Sequence, residues 1–152
     1  MAAIATLLTV LGIAPLVFFA FGAMGPIPET AERMLAALID YAALLLAFAG
    51  GVHWGLALWP ESTRPTLRFL GGVLLMAIGW VGLILAQLVA SSVALAVLIA
   101  GFLATVLTER RAARRSLVPL RYVWLRWGFS GVAVAMMAFV LILRWVGQTI
   151  VL

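Results

Sequence analysis

The apolar stretch from Phe69 to Leu107 constrains this chain more than any other feature. A membrane-spanning helix needs about 20 apolar residues, so this stretch is too long for one ordinary span. Ser91 and Ser92 interrupt it and offer a cap, so a tight hairpin of two helices is a better reading than one very long tilted helix. The rest of the chain is built the same way. Of its 152 residues, 66% are hydrophobic and 10% are charged. A soluble domain runs at about half apolar and a quarter charged. So short a chain has no core large enough to hide this much apolar surface, and lipid is the solvent that accepts it.

Punctuation supplies the remaining boundaries. A first helix over 3–23 contains Pro15, which kinks a helix in a membrane, and ends at the Gly25-Pro26-Ile27-Pro28 turn. This run has no basic flank and is long for a signal peptide, so it reads as a retained helix, although Ala20, Gly22 and Ala23 imitate a cleavage site. Thr30 is a cap for a second helix over 31–59, which Pro60-Glu61-Ser62 closes. Thr63 is a cap for a third over 65–88, with Pro65 in its first turn. A fourth covers 91–107, and Thr108 to Ser116 reads as a polar, Arg-rich loop. A fifth covers 119–146, with Tyr122, Trp124 and Trp127 as an interfacial aromatic belt at its entry. The expected fold is all-α: a single polytopic membrane domain over 1–152 with five transmembrane helices.

Every basic residue is an arginine, and the net charge is +5. The charge does not point to nucleic acid, because it clusters from Arg110 to Arg126 beside apolar runs, as in a loop near anionic headgroups. Five spans would put Arg64, Arg68, Arg110, Arg111, Arg114, Arg115, Arg121 and Arg126 on one side, against Arg33 and Arg144 on the other. The positive-inside rule then makes the N-terminus cytoplasmic and the C-terminus external, in a multi-pass protein of a bacterial inner membrane.

The second helix carries the informative polar groups. Ala43, Ala47, Gly51 and Gly55 recur every four residues and spread over about 120° of its face. Such a small-residue strip lets another backbone approach, within the bundle, in a homo-oligomer or in a partner membrane protein. Gly50-Gly51 and Gly71-Gly72 read as packing glycines. Asp40 points along the centre of the strip, roughly 9 Å inside the helix end. An ionisable group at that depth is a functional candidate, for a proton or a substrate; it also has structural readings, interfacial solvation or pairing with Arg144. His53, the one histidine, lies roughly 20 Å farther along the axis and about 140° away around it, so the two form no direct dyad. Hydrogen bonding near the cytoplasmic surface, a two-site relay with Asp40 and axial haem ligation all remain open for it, with Arg68, Tyr122, Arg126 and Ser130 as nearby candidates. Trp54, Trp59 and Trp124 read as belt anchors, whereas Trp80 falls deep in the third helix, where its N–H should need a partner.

The inventory for catalysis is thin. No Lys is available for a Schiff base, and no Cys for a disulfide, thiolate nucleophile or metal site. Metal centres need three or four ligands, which one His and few carboxylates do not provide. No nucleophile elbow, paired carboxylates or phosphate-cradling glycine loop is present. These absences lean away from an enzyme, and no cofactor can be named.

Tyr41-Ala42-Ala43, followed by Phe48-Ala49-Gly50-Gly51-Val52-His53-Trp54-Gly55, resembles the hallmark of an uncharacterised bacterial membrane family that includes mitochondrial transmembrane protein 69. Leu11-Gly12-Ile13-Ala14-Pro15 resembles the Gly…Pro of its first helix, and Pro119, Tyr122, Leu125 and Arg126 resemble its element before the last helix. Ala42 stands where Gly is usual, Arg121 where Trp is common, and Ser130 near a usual Thr. The resemblance marks Tyr41, Gly50, Gly51, His53, Trp54, Gly55, Tyr122 and Arg126; it implies no activity.

Three functions stand against each other. An accessory, assembly or packing subunit of a larger membrane complex predicts a co-purifying partner and tolerance of Asp40→Asn. A small oligomeric transporter or channel would use Asp40 and His53. A lipid, quinone or haem site would lie near His53 and Trp54.

Overall fold

The computed structural model describes residues 2–60, 62, 64–113 and 120–150. They form five helices: α1 (Ala2–Gly22), α2 (Pro28–Ala57), α3 (Pro65–Leu88), α4 (Ser91–Ala113) and α5 (Leu120–Ile150). Among the described residues, four helices (α2 to α5) are long and apolar enough to cross a membrane, and α1 adds the shorter apolar stretch Leu7–Gly22. Each helix packs on the next, α5 returns to α1 to close a ring, and an α2–α4 contact braces it across the middle. One end of the ring gathers the end of α2, the start of α3, the end of α4 and the start of α5, and is called here the Arg-rich end.

Helix starts depart from the expected caps. Ile27, not Thr30, occupies the N-cap of α2, and Pro28 begins the helix. α3 likewise begins at Pro65 behind Arg64, with no side-chain cap. Proline takes the first helical position because its missing N–H has no partner there in any case. The expected loop after Leu107 is also corrected: α4 continues to Ala113. Arginine and alanine are good helix formers, and Glu109 in this turn is tied to α5.

The core is a stripe on each of α2, α4 and α5. Leu35, Leu38, Ile39, Ala42, Leu46 and Ala49 face inward from α2, Leu95, Leu98 and Phe102 from α4, and Met137 and Val140 from α5. α3 buries little beyond Gly72, Leu75, Gly79 and Gly82. Trp80 lies on its outer side, 64% exposed, so its indole points away from the bundle.

α3 approaches α2 backbone to backbone. A Cβ on Gly50 would strike the carbonyl of Gly72, and one on Gly79 would lie 2.8 Å from the carbonyl of Ala43. In hydrocarbon, helices gain nothing by hiding leucine, so association depends on such close van der Waals packing. Adding a methyl there should destabilise by about 1–3 kcal/mol, whereas the adjacent Gly51 and Gly71 have nothing within 4 Å of an added Cβ. Thermal unfolding in detergent should therefore show Gly50→Ala and Gly79→Ala lowering the midpoint, with Gly51→Ala and Gly71→Ala near wild type.

Candidate functional site

Tyr41 ties the kinked first helix to the second. Pro15 leaves the Leu11 carbonyl without its helical N–H. One residue away, the Tyr41 hydroxyl donates to the Gly12 carbonyl at 2.6 Å, and its ring meets Phe19 edge-on at 6.1 Å. A neighbouring helix thus supplies a donor beside the break, as membrane bundles require.

Asp40, one position earlier, is exposed. Arg144, its expected partner, instead binds Glu32 at 2.7 Å. Among the described residues no ion pair reaches Asp40. Its neighbours on the same face are exposed too: Leu44, Phe48, Gly51 and Gly55. Ala47 is half-buried beside them, and Ala43 and Gly50 turn toward α3. The four-residue strip therefore divides. Each step of four advances about 40° around the helix, so the strip leaves the α3 contact at Ala43 and ends on the open side at Gly55. A step of seven drifts only about 20°, so Ala43 and Gly50 stay together against α3.

At the Arg-rich end the residues interlock differently. The Trp54 indole N–H donates to the Phe69 carbonyl at 3.2 Å, and its ring meets Phe69 edge-on at 5.8 Å. A Cβ on Gly72 would strike that indole, so this glycine is the seat of Trp54. His53 is half-buried, with Arg126 and Arg68 as the nearby charges acting on it. It lies roughly 20 Å along α2 from Asp40, so these two stay apart.

Arg126 has a stronger partner that the sequence reading did not single out. Its Nε–H donates to Glu109 at 2.8 Å, with side chains only 10% and 4% exposed. One turn deeper, Ser130 on α5 and Thr105 on α4 are fully buried. Thr105 bonds the Phe102 carbonyl of its own helix, whereas Ser130 Oγ, Glu109 Oε2 and Trp127 Nε1 are buried without partners among the described residues. Glu109 was legible as the one acid in an arginine-rich run; assigning that run to a loop concealed it. The side chain of Tyr122 lies outside the described residues. Among the described residues, no group of three or more His, Asp or Glu could hold a metal.

These features define a multi-pass α-helical membrane protein with an inter-helix ion pair toward each end of its bundle. The chain belongs to the family described as "Protein of unknown function (DUF3429)", whose profile matches residues 1–142. No curated protein and no solved structure matches it.

Removing Glu109 alone would leave a buried, unpaired guanidinium, which costs about 3–5 kcal/mol. Glu109→Leu should thus destabilise strongly, and adding Arg126→Met should restore most of the loss, as read by unfolding titrations in mixed micelles. Tyr41→Phe removes one hydrogen bond and should cost about 0.5–1.5 kcal/mol in the same measurement.

Proposed function

We propose that this protein is a non-enzymatic accessory or assembly subunit of a larger membrane complex, docking a partner's transmembrane helix on the open face of α2. The observation that carries this reading is Asp40: a carboxylate exposed on the bundle's outer surface, roughly 10 Å along the helix from Arg33 and without an ion-pair partner among the described residues. A charge facing hydrocarbon costs several kcal/mol, which a cation on a partner helix offsets. Gly51 and Gly55, on the same face, admit a close-packed backbone. A second copy of this chain fits less well, because a parallel pairing through this face sets Asp40 against Asp40.

The carrier reading has less support. It needs Asp40 and His53 on one pathway, yet Asp40 is on the outer surface near the middle of α2 and His53 is half-buried near the Arg-rich end. The haem or quinone reading is weakened by Trp54, whose N–H is committed to Phe69. The arginine distribution supports an inner membrane with the Arg-rich end in the cytoplasm.

Gentle extraction with native lipids tests the proposal. Wild type should co-purify with a partner carrying a basic residue inside a transmembrane helix. Asp40→Asn and Gly51→Leu should release it without changing the thermal midpoint, reversing the tolerance of Asp40→Asn expected from sequence. Purification of the wild type alone, or retention of the partner by both variants, would overturn it.

A further inference from the structure

At the end opposite the Arg-rich one, a groove of about 670 Å³ runs between the start of α4 and the last turns of α5. Its walls divide by chemistry. Ser91, Ser92 and Arg144 line one part, and Leu95, Leu141 and Ile142 line the other. Neither serine hydroxyl has a partner among the described residues. α4 begins at Ser91, and the first intrahelical acceptor is used by Ala94 N–H, so the amides before it lack helical partners. Arg144 uses one terminal nitrogen on Glu32, while its Nε is buried with no partner among the described residues.

We infer that this groove is a specific phospholipid site, with the phosphodiester on the Arg144 guanidinium and the Ser91 and Ser92 hydroxyls and an acyl chain along Leu95, Leu141 and Ile142. A phosphate oxygen accepts a charge-assisted hydrogen bond from the guanidinium, and the hydroxyls and free amides complete its shell. The apolar wall is continuous with the exposed side of α5, where Ile142 and Trp145 are 56% and 72% exposed, so an acyl chain enters from the bilayer. Glu32 neutralises part of the charge of Arg144, so recognition rests on the phosphodiester and not on the net charge of the lipid. The site shares no residue with the open face of α2 and does not depend on the proposed partner.

The test is native mass spectrometry and thermal unfolding of the full chain in detergent. The probes are phosphatidylglycerol, diacylglycerol with the same chains, and inorganic phosphate. Phosphatidylglycerol should stay bound one to one and raise the midpoint; diacylglycerol and phosphate should do neither. Arg144→Gln should weaken binding about tenfold or more, the loss of one charge-assisted contact. Glu32→Gln breaks the same ion pair but keeps the cation, so it should retain binding and control for damage to the fold. Ile142→Trp fills the groove and should abolish binding with the ion pair intact. Equal retention of diacylglycerol, an equal shift from phosphate alone, or undiminished binding by Ile142→Trp would each overturn the site.

Discussion

The contact between α2 and α3 is the constraint on which the rest of the bundle depends. In water, a helix with a leucine face is driven onto its neighbour; in hydrocarbon the neighbour is no better a solvent than lipid, and only close packing separates the two. Gly50 against Gly72 and Ala43 against Gly79 bring two backbones to the distance at which a methyl group no longer fits. This contact fixes the rotation of α2. Its leucine stripe then faces α4 and the core, Tyr41 faces α1, and Asp40 is left on the outside.

The same solvent logic explains where the polar groups lie. Thr105 and Thr108 return their hydroxyls to carbonyls of their own helix, so they cross apolar surroundings without an external partner. Glu109 and Arg126 neutralise each other near one end, and Glu32 and Arg144 near the other. The first pair joins the consecutive helices α4 and α5, and the second joins α2 to α5 across most of the chain. Asp40 stands outside this pattern, and for that reason it directs attention to the surface of α2.

Much of the architecture was legible because apolar length is a strong signal in a bilayer. The hairpin at Ser91 and the turns at Gly25-Pro26 and Pro60 fall where composition breaks. Side-chain direction was harder. Small residues at four-residue spacing suggest one strip, but the helix carries such a strip around its surface, so Ala43 packs while Gly55 faces out. The pairing of Arg144 could not be read from α2 alone, since Glu32 and Asp40 lie eight residues apart on neighbouring faces and only the seating of α5 chooses between them. Glu109 was concealed by its neighbours: a charged run reads as loop until α5 is seen to supply a counterion.

α2 has one face closed on α3 and an open face that we propose receives a partner. A photo-crosslinking amino acid placed in native membranes tests that proposal most directly. Phe48 and Leu74 are 69% and 61% exposed, on α2 and α3 respectively. Position 48 should give one discrete protein adduct, and position 74 only lipid adducts. Lipid adducts alone from both positions would contradict it.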